Sequence, residues 1–210
     1  MIVNPHVFSN DKVLELLFNG ANGSTTFTDS SPYNATFTRT GWPTIQDNMG
    51  EFTANGYYIK APQPIAGLWE WGANDFEITG EFKINSVGGY RGIICQRNAL
   101  GTGGTFTLSI DADISNKLRF YVHTSSGYRS VMHQTAPIAN TLYTFKAARH
   151  GAYLRLWLND VESITPVYIG SETIPPAVTD ITVGVVLGSL YYHTLGGRVD
   201  KLKIVKFTPV

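Results

Sequence analysis

Two glutamates on one predicted strand have the residue type that glycoside hydrolysis uses. Glu77 and Glu81 flank Thr79, so strand alternation places both carboxylates on one face. Four residues of extended chain separate their backbones by about 13 Å. Retaining glycosidases hold their two carboxyl groups about 5.5 Å apart, and inverting enzymes about 6.5 to 9.5 Å. The spacing therefore favours a solvated or partner-facing pair over a catalytic one.

A carboxylate pair assembled from different strands is the remaining route to catalysis. Its sources would be Glu70, Glu77, Glu81, Asp111 and Asp113. Nothing in the local sequence brings any two of them together, so an enzyme is the least favoured of the interpretations considered below.

The sequence gives little support for a metal site or a catalytic nucleophile. The histidines are His6, His123, His133, His150 and His193. Their spacings match no zinc motif. The single cysteine, Cys95, follows Gly92-Ile93-Ile94, where a small buried thiol fits the core of a protein. The run 101–104 is rich in glycine but lacks the Lys-Ser/Thr of a phosphate loop. The sequence predicts a non-enzymatic protein that requires no cofactor.

Aromatic residues near turns are candidates for binding a glycan or a partner protein. Sugar rings stack on aromatic faces, while hydroxyl and amide groups bind the sugar hydroxyls. The candidates are Trp69, Trp71, Tyr90, Tyr128, Tyr191 and Tyr192. Trp69 and Trp71 share a face if their segment is extended, although Trp71 could equally close one end of the core.

The charge composition argues against an electrostatic partner. Charged residues make up 15% of the chain, with 16 basic and 16 acidic side chains. Without a net charge there is no overall field to attract nucleic acid or anionic lipid. No apolar run reaches the roughly 18 residues of a membrane span, and the N-terminus does not match a secretory signal. We expect neither nucleic-acid binding nor membrane insertion.

Period-two alternation predicts an all-β protein. Residues 143–161 form two alternating runs separated by His150-Gly151, which predicts a hairpin. The run 76–84 is the clearest long strand, with apolar residues on one face. About a dozen such runs recur at spacings of roughly ten residues, which is typical of an antiparallel β-sandwich. We predict an N-terminal arm over 1–11, a first strand over 13–18, and one sandwich domain over 12–210.

Several blocks resemble a known superfamily, the laminin-G-like and concanavalin A-like lectins and glucanases, in the single-domain form found in tailed bacteriophage. The matching blocks are 8–32, 73–84, 117–122, 154–161 and 196–206. The resemblance implies two stacked antiparallel sheets in a jelly roll, with the first and last strands adjacent.

The same resemblance bears on calcium. Family members commonly have Asp where this chain has Asn19, in Phe18-Asn19-Gly20, which removes a charge that can help to hold structural calcium. Asp200 matches the acidic residue of the closing strand and is the single metal candidate that the resemblance offers. Asp29 and Asp111 to Asp113 are further groups of oxygen ligands, but calcium needs six to eight oxygens and no ligand loop gathers them.

The leading functional hypothesis is a structural protein of a tailed-phage virion. It would be a capsid decoration or tail-associated protein, made in the host cytoplasm and assembled into particles. The expected partners are other virion subunits, further copies of the same chain and host-surface glycans, with the arm and residues 181–187 as expected contacts. The alternative is a stand-alone carbohydrate-binding lectin.

Overall fold

The computed structural model describes residues 8–97, 104–111, 114–176, 179–187 and 192–209. The strands in these ranges are β1 (Phe8–Leu16), β2 (Thr38–Thr40), β3 (Thr44–Gln46), β4 (Met49–Phe52), β5 (Tyr58–Ala61), β6 (Asp75–Ile84), β7 (Arg91–Arg97), β8 (Gly104–Asp111), β9 (Lys117–Thr124), β10 (Gly127–Met132), β11 (Tyr143–His150), β12 (Tyr153–Leu158), β13 (Val161–Glu162), β14 (Val167–Tyr168), β15 (Ile181–Val183), β16 (Val185–Leu187), β17 (Tyr192–Thr194) and β18 (Gly197–Pro209). No described helix is long and apolar enough to cross a membrane.

Two large antiparallel sheets form the fold, which confirms the predicted β-sandwich. The first sheet has the order β13-β12-β11-β6-β18-β4-β3, with β1 paired to β18 and β14 paired to β12. The second has the order β10-β9-β8-β7-β15-β5-β2. Strands β16 and β17 pair only with each other among the described strands, and we call them the β16–β17 ribbon.

Alternation along the strands produces the core between the sheets. In β6 the apolar residues are buried and the intervening residues half-buried, as the sequence predicts. Phe76 of β6 meets Phe106 and Phe120 of the second sheet, with ring centroids 6.4 Å and 6.2 Å apart. Burying a side chain of this size stabilises the fold by roughly 1.5 to 3 kcal/mol. The two sheets are therefore joined mainly by side-chain packing.

The predicted hairpin over 143–161 is confirmed. Strands β11 and β12 pair with Phe145 opposite Leu158, and both residues are buried. Gly151 makes the turn with a φ of 56°. Asn159 and Asp160 then turn the chain with φ values of 49° and 61°, a conformation that short polar side chains tolerate.

The first and last strands pair with each other, and the predicted arm overlaps the start of the first strand. Strand β1 begins at Phe8, and its residues 8–11 pair with 206–209 of β18. Ser9, Asn10 and Asp11 are polar yet lie in a strand, because β18 is thirteen residues long and offers them a hydrogen-bonding edge. The first seven residues of the predicted arm lie outside the described ranges.

Residues 181–187 are not the outer contact that their apolar character suggested. Strand β15 lies inside the second sheet, between β7 and β5, and all three of its residues are buried. Gly184 turns the chain with a φ of 88°, so that β16 leaves the sheet plane and joins the ribbon. The apolar run is therefore accounted for by internal packing.

Candidate functional site

A polar and aromatic surface covers the outer face of four neighbouring strands, β7 to β10. Because Phe106, Leu108 and Ile110 of β8 point into the core, the alternate residues Thr107 and Ser109 point outward. They are only 7% exposed and form a hydroxyl-rich floor. We call this surface, with the adjoining edge of the β16–β17 ribbon, the β7–β10 face.

Three rings from β9 and β10 cluster at one end of the β7–β10 face. Tyr121 and His123 alternate with buried residues on β9, and β10 places Tyr128 directly opposite His123. The Tyr128 ring lies 4.9 Å from the Tyr121 ring and 4.6 Å from the His123 ring, centroid to centroid. Tyr128 is half exposed, so its ring presents a surface to ligands in solution.

The β16–β17 ribbon forms a wall at the other end. It lies so close to β7 that a Cβ added at Gly92 would come within 2.1 Å of the Val186 nitrogen. Only glycine permits this approach. The ribbon brings His193 against Tyr90, with ring centroids 5.0 Å apart, and Tyr90 remains 37% exposed.

A groove runs between the two aromatic clusters. One depression is lined by Tyr128, Tyr121 and Arg97, and a second by Tyr90, His193 and the same Arg97. The two depressions also share Thr107 and Tyr121, so they are continuous. The second has a volume of about 200 Å³ and an open mouth. A chain-like or branched ligand could contact both clusters at once.

A partly buried ion pair fixes the polar groups in the middle of the groove. The Arg119 guanidinium donates to the Asp111 carboxylate at 3.0 Å and to the Ser130 hydroxyl at 3.0 Å. It also lies over the Tyr121 ring, 5.0 Å from the centroid. Asp111 is only 3% exposed, so its carboxylate and the Arg119 guanidinium interact where water screens the charges little. These contacts hold Tyr121 and Arg119 in fixed positions before any ligand binds.

The titrating groups of the groove respond to burial and to its arginines. Burial raises the pKa of Tyr121, reinforced by Tyr128, while the Arg119 and Arg97 charges act in the opposite direction. Burial lowers the pKa of His193, and the Arg97 charge lowers it further against a smaller effect of Asp111. His193 is therefore neutral at pH 7 and can either donate or accept a hydrogen bond.

Of the predicted aromatic residues, Tyr90 and Tyr128 line the groove. Tyr191 lies outside the described residues. Tyr192 pairs with Leu187 in the ribbon, but its side chain lies outside the description. The prediction for Trp69 and Trp71 is wrong, because both side chains are 0% exposed.

The two tryptophans are buried because turns fold their segment over the end of the core. The Leu68 amide donates to the Ile65 carbonyl and the Glu70 amide to the Gly67 carbonyl, so the segment is not extended. The Trp69 indole donates to the Val13 carbonyl at 3.3 Å, and the Trp71 indole donates to Gln96 Oε1 at 2.7 Å. Each polar indole nitrogen thus has an internal partner, which permits complete burial.

The groove also contains residues that the sequence interpretation missed. They are Arg97, Thr107, Ser109, Arg119, Tyr121, His123 and His193. The alternating run 117–124 carried a usable signal, because Arg119, Tyr121 and His123 all fall on the face opposite its apolar residues. His193 and Arg97 carried no such signal, since the ribbon that brings His193 to the groove is distant in sequence.

Glu77 and Glu81 lie on the outer face of the other sheet, whereas Glu70 lies in the segment before β6. Glu77 accepts from His150 at 2.8 Å, and Glu81 accepts from Lys201 at 2.7 Å. Of the described residues that line the groove, Asp111 alone carries a carboxylate, and it is paired with Arg119. The described groove residues therefore supply no pair of carboxylates of the kind that glycoside hydrolysis uses.

The acidic side chains of the described residues do not gather into a metal-binding cluster. No three His, Cys, Asp or Glu side chains among them lie close enough to hold a metal. The Asp29 carboxylate accepts from the Glu15, Ser31 and Ala35 amides and from the Ser31 hydroxyl, so its oxygens organise the loop. Asp113 lies outside the described residues.

Asp200 is buried beside a bulge in β18. Its Oδ1 has no hydrogen-bond partner among the described atoms, and Lys201 adopts a φ of 50°. Burial raises the pKa of Asp200, with a smaller contribution from Glu81. Because the folded state binds this proton more tightly than the unfolded chain does, Asp200 lowers stability as the pH rises above its ordinary pKa of 3.8. A single carboxylate supplies too few oxygens for calcium.

Comparisons with known proteins identify the fold but not a family. No protein-family model and no curated protein matches the chain. A structure of botulinum neurotoxin type C, described with its interaction with two ganglioside molecules, matches with a TM-score of 0.68 and 14% identity. The receptor-binding domain of botulinum neurotoxin D matches with a TM-score of 0.64 and 14% identity. The binding domain of botulinum neurotoxin DC, in complex with SialylT, has the same two values.

These matches cover almost the whole chain but only part of each neurotoxin structure. They include 92% to 94% of this chain and 47% or 48% of the matched chains. The chain thus spans about half the length of the structures that it resembles. The chain shares its β-sandwich fold with part of these neurotoxin structures.

Proposed function

We propose that this protein is a non-catalytic, lectin-like binding module that holds glycans in the groove of the β7–β10 face. The observation that carries the proposal is the pair of aromatic clusters, Tyr121 with Tyr128 and Tyr90 with His193, at the two ends of one hydroxyl-lined groove. Aromatic faces bind the apolar faces of sugar rings, and fixed polar groups bind their hydroxyls.

The chemistry between the two clusters supports binding rather than cleavage. Thr107 and Ser109 contribute hydroxyl groups, and Arg119 contributes fixed N–H donors. The described groove residues offer a single carboxylate, and its partner is Arg119 rather than a second acid. Sugar binding needs only these stacking and hydrogen-bonding groups, whereas hydrolysis also requires a second, separately placed carboxyl group.

The structural comparisons add indirect support. One matched structure is a receptor-binding domain of botulinum neurotoxin D, a second is a neurotoxin binding domain in complex with SialylT, and a third is described with two ganglioside molecules. At 14% identity, these matches indicate a shared fold but not a shared binding site. A β-sandwich that serves as part of a receptor-binding protein is nevertheless compatible with a binding role for this chain.

The first test is loss of glycan binding on replacement of Tyr128. Tyr128→Ala removes the half-exposed ring that meets both Tyr121 and His123, so we expect at least a tenfold loss of affinity for any glycan retained by the wild type, corresponding to about 1.4 kcal/mol. A glycan array identifies the ligand, and titration calorimetry measures the affinity.

The matched control is Tyr168→Ala. Tyr168 is 67% exposed but lies in β14 of the first sheet, outside the groove. We expect this variant to bind like the wild type. If both variants lose affinity equally, or if Tyr128→Ala binds the glycan as tightly as the wild type, the β7–β10 face is rejected as the binding site.

We propose further that the module works in the virion of a tailed bacteriophage, in several copies and attached to other capsid or tail subunits. This setting rests on the sequence blocks that resemble phage lectin-like domains, above all 8–32 and 196–206. Mass spectrometry calibrated for copies per particle tests it. Hundreds of copies would indicate a capsid decoration, and a few dozen or fewer would indicate the tail. Absence from purified particles would reject the virion role and leave the stand-alone lectin.

A further inference from the structure

A second aromatic surface lies at the opposite edge of the sheet that carries the groove. It follows the edge strand β2, where the Trp42 side chain is 68% exposed. The Tyr57 ring lies 6.5 Å from the Trp42 ring, centroid to centroid, and the two ring planes are inclined at 59°. We call these two side chains the Trp42–Tyr57 patch. Covering an exposed tryptophan with a ligand removes much apolar area from water, which is why such residues often dominate binding.

The backbone on both sides of Trp42 is fixed. Gly41 adopts a φ of 70°, and Pro43 is buried. A residue that precedes proline is restricted to extended conformations, so the backbone of Trp42 has little freedom. The Arg39 guanidinium also donates to the Gly41 carbonyl at 2.9 Å. A ring presented from a fixed backbone loses less conformational entropy when it binds, which favours affinity.

Tyr57 is held in place from a second loop. Its amide donates to the Ala54 carbonyl at 3.0 Å, and Gly56 turns the chain with a φ of 77°. A Cβ added at Gly41 would lie 2.4 Å and 2.8 Å from two carbons of the Tyr57 ring, so this ring packs against the backbone of residue 41. The two rings of the patch are therefore presented in a defined relative orientation, with Trp42 as the more exposed one.

The β16–β17 ribbon connects the patch to the groove. Its residue His193 lies against Tyr90 in the groove, with ring centroids 5.0 Å apart. The next residue, Thr194, accepts a hydrogen bond from the Gly56 amide at 3.0 Å. With standard backbone dimensions, no more than about 15 Å therefore separates the Cα atoms of His193 and Tyr57. A glycan of several sugar units is long enough to contact both surfaces.

We propose that the ligand is an extended glycan chain, of which one portion lies in the groove and another stacks on Trp42. This inference rests on the proposed glycan-binding function and names the form of its ligand, a polymer of several sugar units rather than a single terminal sugar. Sugar rings stack on aromatic faces, and the patch offers such a face outside the groove. Once the groove holds one part of the chain, contact with Trp42 becomes intramolecular, so a modest second contact raises the overall affinity.

The test measures affinity against chain length. An array carries linear oligosaccharides of glucose, mannose, galactose and N-acetylglucosamine, each at two, four and eight units, and titration calorimetry measures the series that the wild type retains. Trp42→Ala should lower the affinity for the eight-unit chain about tenfold, the loss of one stacked ring, and change that for the two-unit chain less than about twofold. A longer chain also offers more positions at which it can bind, and this part of its gain should remain in the variant.

Two further variants separate stacking from folding. Tyr168→Ala is the matched control, because Tyr168 is 67% exposed, almost as much as Trp42, but lies in β14 of the first sheet. It should bind every chain length like the wild type. Trp42→Tyr keeps an aromatic face and should keep most of the affinity for the long chain. Unfolding midpoints of all three variants confirm that each is folded.

The outcomes distinguish this inference from the proposed function. If Trp42→Ala binds the eight-unit chain like the wild type while Tyr128→Ala weakens every length, the groove binds glycans without the patch, and the inference is overturned. It is also overturned if Trp42→Ala weakens short and long chains equally, or if it changes only the sedimentation coefficient, which would make the patch a protein contact. If no chain of any length is retained, the proposed function itself fails and the inference fails with it.

Discussion

Replacing Trp71 with alanine is expected to lower the free energy of unfolding by about 3 to 5 kcal/mol, the usual cost of removing a fully buried aromatic side chain. Trp71 is 0% exposed, and its ring lies 4.8 Å from Phe76 and 5.8 Å from Phe106, centroid to centroid. A whole domain is stabilised by only about 5 to 15 kcal/mol. This single change would therefore remove a large share of the stability.

In Trp71→Ala the loss of a buried hydrogen bond adds to the free-energy cost of the cavity. The Trp71 indole donates to Gln96 Oε1, and the side-chain amide of Gln96 donates to the Trp69 carbonyl. Gln96 is 0% exposed, so loss of the indole weakens a buried hydrogen-bond network that water does not reach. We expect Trp71→Phe, which keeps most of the ring volume but not the N–H, to lie between the alanine variant and the wild type.

Urea unfolding followed by circular dichroism measures the effect, and Trp42→Ala is its control. Trp42 is 68% exposed, and its ring lies 6.5 Å from the Tyr57 ring, centroid to centroid. Its removal should change the free energy of unfolding by no more than about 0.5 kcal/mol. Comparable losses in Trp71→Ala and Trp42→Ala would contradict the burial of the 68–72 segment.

The sequence predicts the architecture well because each strand carries its own pattern. In β6, β11 and β12, apolar residues on one face and polar residues on the other determine which side packs inward. The same kind of local pattern led to the wrong prediction that Trp69 and Trp71 are exposed. Alternation places two side chains on one face, but it does not indicate whether other residues cover that face. Here internal acceptors at Val13 and Gln96 make burial favourable.

The candidate site was only partly predictable, since it is assembled from elements that are distant in the chain. Tyr128 stands beside a glycine turn, and its exposure follows from that position. The Tyr90 cluster depends on the ribbon packing against Gly92, a contact between residues that are far apart in sequence. Turn and alternation patterns describe neighbours along the chain, so they could identify Tyr90 but not its partner His193.

The ribbon contact leads to the last prediction, that Gly92→Ala displaces the ribbon and exposes Cys95. An alanine Cβ at position 92 would lie 2.1 Å from the Val186 nitrogen and 2.3 Å from the Val185 carbonyl carbon. These are backbone atoms and cannot move aside by changing a rotamer. Overpacking of this kind costs about 1 to 3 kcal/mol, and the ribbon, which pairs with no other described strand, is the element able to yield.

The Cys95 thiol reports this displacement. In the wild type its Sγ lies 2.9 Å from the Thr182 hydroxyl and 3.5 Å from the Val185 carbonyl, and the residue is 0% exposed. Burial raises the pKa of this thiol, which keeps the reactive thiolate scarce. If the strain makes opening of the ribbon about 1 to 3 kcal/mol easier, labelling of Cys95 by a thiol reagent should accelerate by about five- to 150-fold.

A matched alanine substitution and a binding measurement complete the experiment. In Gly20→Ala the new Cβ meets the end of the Ile45 side chain at 2.7 Å, which can rotate away, so labelling should stay near the wild-type rate. Gly92→Ala should also weaken any glycan binding, because the ribbon carries His193 and Val186, which line the groove. Unchanged labelling in Gly92→Ala would mean that the ribbon does not cover Cys95. Faster labelling with unchanged glycan binding would confine the binding site to the Tyr121–Tyr128 end of the face.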